Sequence, residues 1–334
     1  MDAGARGTLA APSRLSVIVP ARNAAGYLPR TLPALRASLP AGSELVVCDD
    51  GSSDASAEIA TALGARVVST PRREGAAAAR NRGAALAGGA ILVFVDADVR
   101  VHADTLPTLL AAFEDGQVAA AFGSYDADPP RVSTVSLYKN LAHHFVHQRS
   151  RPEASTFWSG CGAIRADVFR AVGGFDAAIF GIEDVELGYR LREGGHGVRL
   201  VHAAQVTHLK EWTLGSWLRS DILERAAPWA RLVRAGRGLP RDLNFSPADH
   251  AATLLTVAAC AGTSAAVFDP RWMLAALLAV PALVLDYPML AFFARRVSVA
   301  FAIRAAALHL LHRLAGVTGF ALGLLRPAPR AALL

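Results

Sequence analysis

Hydrophobic and polar positions divide the chain into two halves of different character. Over the first hundred residues, short apolar runs recur at regular intervals and each ends on a polar or acidic turn. Residues 15–19 (Leu-Ser-Val-Ile-Val) form the first run, closed by Pro20. Ala21-Arg22-Asn23 then turns into a helical pattern through Leu28, Leu32 and Leu35. A second run at 44–48 leads into Asp49-Asp50-Gly51-Ser52-Ser53-Asp54, where Ser53 or Asp54 can cap a helix over 55–63. A third run at 65–69, a loop at 71–75 and an alanine-rich helix over 76–87 with Arg80, Asn81 and Arg82 follow. The fourth run, at 91–99, has the apolar, β-branched composition of a strand buried on both faces until it meets Asp96 and Asp98. The order β-α-β-α-β-α-β predicts an α/β fold, a parallel sheet with helices on both faces.

Ligands of such sheets gather at the carboxyl ends of the strands. Pro20, Asp49, Asp50, Asp96 and Asp98 are all strand-end residues and are expected to share one crevice. Strand alternation points Asp96 and Asp98 to the same side. Two carboxylates so close are unfavourable without a cation between them, and Mg²⁺ or Mn²⁺ suits oxygen ligands. A lone Asp-x-Asp is equally an acidic turn; the neighbouring acidic strand end tips the balance toward a metal. No G-x-G-x-x-G follows the first strand and no G-x-x-x-x-G-K-[ST] occurs, which argues against nicotinamide dehydrogenases and P-loop enzymes. Residues 19–26 also lack the glycine-rich basic loop of nucleotidyltransferases.

Further along, a strand is expected at 119–123 and a helix over 132–148 with His143, His144 and His147. Those histidines occupy two helix faces, which favours a solvated or acceptor-facing helix over a metal site. Residues 158–164 (Trp-Ser-Gly-Cys-Gly-Ala-Ile) read as a strand with glycines where something approaches the backbone. A short helix at 166–171 and a tight turn at 172–176 come next. Glu183 and Asp184 stand at a helix start above Leu187 and Leu191, a pattern that acidic capping alone would also produce. A last strand over 198–208 ends on His208, either a metal ligand or an ordinary histidine.

From 212 the period changes to that of amphipathic and then wholly apolar helices. Over 212–235, apolar positions including Trp217, Ile222 and Trp229 recur at helical spacing with arginines mostly elsewhere, as at a bilayer interface or in an ordinary domain helix. Arg237 and Arg241 extend the basic stretch. Residues 251–268 carry no charge and are long enough to span; 272–294 form a second expected span despite Asp286 and two prolines, closed by Arg295-Arg296. The stretch 297–325 holds Arg304, His309, His312 and Arg313, and reads as an interfacial helix with a short insertion or as a third span.

Composition agrees. The chain is 53% hydrophobic and 19% charged, with mean hydropathy +0.32, more apolar than soluble domains. Its net charge of +6 lies beside apolar segments rather than in a tract with stacking aromatics, so an anionic membrane is the expected partner and nucleic acid is not. Three scattered cysteines form no C-x-x-C pair. Residues 1–12 read as disordered and lack a signal peptide's apolar core, which places the globular part in the cytoplasm at the inner membrane. The resulting division is 13–211 as a catalytic domain, 212–249 as interfacial helix and linker, and 250–326 as membrane helices.

The motifs Val17–Asn23, Val46–Asp54, Ala79–Gly83, Asp96–Asp98, Val172–Asp176 and Glu183–Leu187 resemble, in order, those of the inverting family 2 glycosyltransferases of GT-A fold. The resemblance covers about residues 15–210 and implies a nucleotide-sugar donor, UDP-linked or GDP- or dTDP-linked. It assigns Pro20, Ala21, Arg22, Asn23, Asp49 and Asp50 to the nucleoside site, Arg80 to the base or ribose, and Asp96 to the ribose and diphosphate. Asp98 becomes the ligand of Mg²⁺ or Mn²⁺, with His208 as an additional one. Asp184, with Glu183, becomes the general base. Trp158, Gly160, Cys161 and Gly162 fall on the acceptor side, the acceptor being a lipid or glycan hydroxyl. Processive relatives carry Gln-x-x-Arg-Trp after the Glu-Asp motif; no glutamine begins that pattern here, so a single addition is expected. The alternatives are a polyprenyl-phosphate glycosyltransferase and a catalytically silent sugar-nucleotide-binding protein.

Overall fold

The structure, a computed structural model, describes residues 15–130, 132–236 and 246–325. The expectations for residues 1–12 and for Arg237 and Arg241 lie outside these. The chain forms two compact units: the described residues up to Pro129 with Arg151–Lys210, and Pro130–Ser150 with the described residues from Glu211 onward.

In chain order the strands are β1 (Leu15–Ala21), β2 (Glu44–Asp49), β3 (Arg66–Ser69), β4 (Ile91–Val95), β5 (Val99–Val101), β6 (Val118–Tyr125), β7 (Cys161–Arg165) and β8 (Gly197–His208). The helices up to β8 are α1 (Leu28–Ser38), α2 (Ser56–Ala62), α3 (Ala76–Leu86), α4 (Thr105–Ala111), α5 (Thr134–Arg149), α6 (Ala166–Ala171) and α7 (Glu183–Glu193). All eight strands join one sheet of the first unit, ordered β3-β2-β1-β4-β7-β6-β8-β5. The parallel pairing expected from the first hundred residues holds for β3-β2-β1-β4. Beyond β4 the sheet is mixed: β7 runs antiparallel to both neighbours, and β5 closes the edge antiparallel to β8.

One local expectation is corrected. The run 91–99 is not a single strand, because β4 ends at Val95 and residues 96–98 turn, with the Val99 N–H donating to the Asp96 carbonyl at 3.0 Å. Asp96 and Asp98 are therefore presented by a tight turn rather than by strand alternation. The turn is held open to the crevice because the Leu209 N–H, just past β8, donates to the Asp98 carbonyl at 2.8 Å.

The Ala79–Gly83 motif explains itself physically. Helix α3 lies so close to the sheet that a Cβ on Gly83 would meet Ile18 Cγ2 at 2.5 Å and Cys48 Sγ at 2.8 Å. Asn81 grips the turn after α6 from both sides, accepting the Phe175 N–H at 2.9 Å and donating to the Phe175 carbonyl at 2.7 Å. That turn needs Gly173 and Gly174 at φ +82° and +69°, a region that favours glycine.

Helix α5 belongs to the second unit, not to the catalytic domain in which the sequence placed it. Its Tyr138 is buried among Trp217, Phe293 and His309 of that unit. There α8 (Leu214–Arg219), a π-helical turn (Ser220–Ala226) and α9 (Ala227–Arg234) form the amphipathic stretch. Its buried face, with Trp217, Ala230 and Leu232, meets a long C-terminal helix, Val299–Leu325. Gly319 and Gly323 allow the approach: a Cβ on Gly319 would stand 2.5 Å from the Ile222 carbonyl, and one on Gly323 would collide with that of Ala227. Val299–Leu325 holds 27 residues and is, among the described residues, the one continuous helix long and apolar enough to cross a bilayer. Of the two spans expected before it, residues 251–265 are helical within Pro247–Ala265 and 266–268 turn. The 272–294 run falls in Pro270–Leu285 and Tyr287–Arg296, bent by 66°, which are long and apolar enough only when taken together.

Gly83→Ala is expected to destabilise the α/β unit by about 1–3 kcal/mol through overpacking. Gly116→Ala, where a Cβ would meet nothing within 4 Å, is expected to stay within about 0.5 kcal/mol of wild type. Urea unfolding followed by circular dichroism reads both; equal effects would show that α3 does not lie against β1 and β2.

Candidate active site

The crevice is built from loops at the carboxyl ends of β1, β2 and β4. The β1 loop is clamped to the β2 loop. The Asn23 N–H donates to Ser52 Oγ at 2.9 Å, Asn23 Oδ1 accepts the Ser53 N–H at 2.9 Å, and the Ala24 N–H donates to Ser56 Oγ at 2.8 Å. Asn23 takes φ +50° to do so. Asp50 is buried, and its carboxylate accepts the Glu74 and Gly75 N–H groups at 2.6 and 2.9 Å. It thereby fixes the loop before α3. Asp49 accepts the Ser52 N–H at 3.3 Å. A cleft of about 280 Å³ remains, lined by Pro20, Ala21, Arg22, Asp50, Arg80, Asp96 and Asp98 among others. Asn23 and Asp49 shape its walls from outside that lining.

Arg80 occupies the centre. Its guanidinium is buried, donates 2.7 Å hydrogen bonds to Asp96 Oδ1 and to Glu183 Oε1, and lies over the Phe175 ring at 5.5 Å. Burial opposes its charge, but Asp96, Glu183 and Asp184 hold it protonated more firmly than a free arginine. The resemblance assigned Arg80 to the base or ribose; here it ties the turn after β4 to the first residue of α7. Glu183 Oε2 and Arg80 Nε are buried without hydrogen-bond partners.

Asp184 follows on the first turn of α7. Its Oδ2 accepts the Ser159 N–H at 3.1 Å and the Ser159 hydroxyl at 3.2 Å, while the Gly160 carbonyl accepts the Asp96 N–H at 3.2 Å. Both acidic clusters thus meet at residues 159–160. Arg190, paired with Glu186 at 2.7 Å, also donates to the Gly174 carbonyl at 2.7 Å and anchors α7 on the turn that Asn81 grips.

Asp98 Oδ2 stands 3.6 Å from His208 Nε2, and the His208 ring stacks on Tyr125 at 4.4 Å. Burial raises Asp96 above the ordinary carboxylate range, with the Asp98 charge adding to it and Arg80 opposing. Burial works the same way on Asp98, but His208 and Lys210 outweigh it and hold that group below. A carboxylate beside an imidazole is a donor set that Mn²⁺ or Mg²⁺ accepts. Among the described residues no three His, Cys, Asp or Glu gather into a complete cage. That suits a cation which takes its remaining ligands from phosphate and water.

The acceptor-side expectation is corrected in part. Cys161 and Gly162 lie inside the sheet, paired with Val95 and Phe94, and burial pushes the Cys161 thiol up to about 12. What approaches the glycine backbones is protein: Trp158 covers Gly160, and the Phe157 ring stands 2.5 Å from a Cβ on Gly162. Trp158, half-buried against Tyr125, and Ser159 are the members of that stretch nearest the acidic residues. Sequence reasoning passed over Ser159, Arg73 and Phe180, the last two of which line the cleft. An exposed aromatic just before the Glu-Asp pair was the available signal for Phe180.

Residues 16–173 match the model of glycosyl transferase family 2. The chain carries a glycosyl transferase family 2 domain. It is 30% identical over 213 residues to the pre-mycofactocin glycosyltransferase of Mycobacterium tuberculosis, covering 61% of this chain and 44% of that one. It is 30% identical over 222 residues to the validoxylamine A glucosyltransferase of Streptomyces hygroscopicus subsp. limoneus, covering 55% and 48%. The chain spans about half the length of these curated relatives. Its fold matches that of the mannosyltransferase PcManGT from Pyrobaculum calidifontis, solved with GDP-Man and Mn²⁺, with TM-score 0.57 and 19% identity over 94% of this chain and 87% of that one. The family 2 domain therefore has the GT-A architecture expected from its motifs.

Within this domain, Arg80→Met leaves two carboxylates without their shared cation and is expected to cost about 3–5 kcal/mol in unfolding free energy. Adding Glu183→Gln should recover part of the loss, a coupling of about 0.5–3 kcal/mol in a double-mutant cycle. Strict additivity would show that the two side chains do not interact.

Proposed function

We propose that the protein is a membrane-anchored, metal-dependent glycosyltransferase. It moves one sugar from a nucleoside-diphosphate donor to a hydroxyl of a lipid or saccharide with inversion, at the cytoplasmic face of the inner membrane. The observation that carries this reading is the Arg80 bridge, which joins Asp96 in the cleft lining to Glu183 at the start of α7 in a family 2 domain. Inversion at an anomeric carbon needs one carboxylate to take the acceptor proton and a separate means of stabilising the departing diphosphate. The two acidic clusters divide that work. Asp184, oriented by Ser159, receives the proton of the attacking hydroxyl. Asp98 and His208 hold Mn²⁺ or Mg²⁺, which when bound supplies Lewis-acid stabilisation of the leaving diphosphate. Pro20, Ala21, Arg22 and Asp50 receive the nucleoside, and Arg80 keeps Asp96 and the start of α7 in register.

Membrane attachment is supported by the surface of the second unit. Phe268 is 92% exposed, and Val267, Leu274, Val284, Tyr287, Val299 and Ile303 are exposed as well, a concentration of exposed apolar side chains that suits contact with lipid. Val299–Leu325 rises about 40 Å at 1.5 Å per residue, enough for a hydrocarbon core of about 30 Å. Arg295 and Arg296, both exposed, immediately precede it, which suits an anionic cytoplasmic leaflet.

Full-length protein screened against UDP-, GDP- and dTDP-sugars with MnCl₂ is expected to hydrolyse or transfer from one of them. Asp184→Asn should lower turnover about 10²–10⁴-fold while nucleoside-diphosphate binding persists. Undiminished turnover in that variant would remove Asp184 as the base and favour an acceptor that is already ionised, such as a phosphate. After alkaline carbonate washing the protein is expected to stay with membranes; release into the supernatant would overturn the anchor.

A further inference from the structure

The cleft lining includes a cation, Arg73, that the described residues leave without a counter-charge. Arg73 and Phe180 both line the cleft that Asp96 and Asp98 enter, and the Arg73 guanidinium lies over the Phe180 ring at 5.2 Å. Among the described residues no carboxylate pairs with Arg73. The side chain projects from a backbone that has little freedom. A Cβ on Gly51 would stand 2.7 Å from the Arg72 carbonyl carbon and 3.0 Å from the Arg73 nitrogen, and Asp50 holds the next two N–H groups. Phe180 is 48% exposed, an unusual place for a large aromatic ring. Its neighbours are fixed: Ile179 and Ile182 are buried, Gly181 turns at φ +85°, and Asp176 accepts the Ala178 N–H at 2.8 Å. Two braced loops thus hold a guanidinium against a ring at a cleft where Arg80 is already engaged by Asp96 and Glu183.

A guanidinium stacked by its face keeps its N–H edge free for bidentate contact with phosphate oxygens. The geometry points to Arg73 as a donor-binding residue that grips the diphosphate of the nucleotide, with Phe180 as the positioning residue that presents it. The assignment rests on the donor reading given above and adds a cation that meets the phosphates beside the three carboxylates of the lining. Phe180 stands three residues before Glu183, so the same contact ties the loop leading into α7 to donor occupancy.

Isothermal titration of the full chain in detergent micelles with UDP, GDP and dTDP plus MnCl₂, and with the corresponding nucleosides, tests this. Arg73→Met is expected to weaken binding of the preferred diphosphate about tenfold or more, with nucleoside affinity unchanged and a larger loss at low salt. Phe180→Leu should weaken it about two- to fivefold, and Phe180→Tyr should restore it. Equal losses for diphosphate and nucleoside in Arg73→Met, or no loss for either, would overturn the Arg73 assignment. Phe180→Leu matching wild type would overturn the role of the ring. If the wild-type chain bound none of the three diphosphates, the donor reading itself would fall, and this assignment with it. Wild-type binding with Arg73→Met unchanged would sink the latter alone.

Discussion

A guanidinium almost wholly withdrawn from water, at 4% exposure, is unfavourable unless carboxylates meet it with good geometry. Arg80 meets two, from opposite ends of the domain in sequence: Asp96 at 16 residues' remove and Glu183 at 103. Both acids depend on the arginine, the buried Glu183 most and the half-buried Asp96 less, since without it like charges would stand together. This three-way dependence sets the distance between the turn after β4 and the start of α7. The rest of the site inherits its register from that pair of hydrogen bonds.

Around this node the glycines and amides act as spacers and clamps. Gly83 lets α3 settle on β1 and β2, which brings Arg80 to the sheet's carboxyl edge. Asn81 and Arg190 hold the glycine turn between α6 and α7 from two sides. Asp50 accepts two backbone N–H groups with its carboxylate, which fixes the loop before α3 beside the cleft that Asp50 also lines. A site of fixed dipoles and charges on short, mutually braced loops is organised before any ligand arrives, which is how such sites stabilise charge at little reorganisation.

The second unit obeys a different rule. Its interior holds paired charges: Asp221 accepts from Lys139, Trp217 and His312, and Asp286 pairs with Arg313. These pairings hold His309, His312 and Arg313 of the 297–325 stretch toward the interior, while Arg304 stays exposed. Of the α5 histidines, His147 is buried and the half-buried His143 ring lies tilted against it at 3.9 Å.

The sequence by itself determined the first four strands and their parallel order, because alternating apolar runs and helical periods are local signals that burial enforces. It also determined which acids end those strands, and that long apolar helical runs fill the last third of the chain. Tertiary structure alone decided what those acids touch. Asp96 and Asp98 leave the strand in a turn braced by β8. Arg80 bridges two carboxylates, one of them 103 residues away. Cys161 and Gly162 vanish into a sheet whose antiparallel half had no period to announce it. The amphipathic helix of 212–235 spends its apolar face on Gly319 and Gly323 of a segment some ninety residues away. Hydrophobic pattern records that a side chain must be buried, but not against which partner, and charge pairing across a hundred residues has no local trace at all.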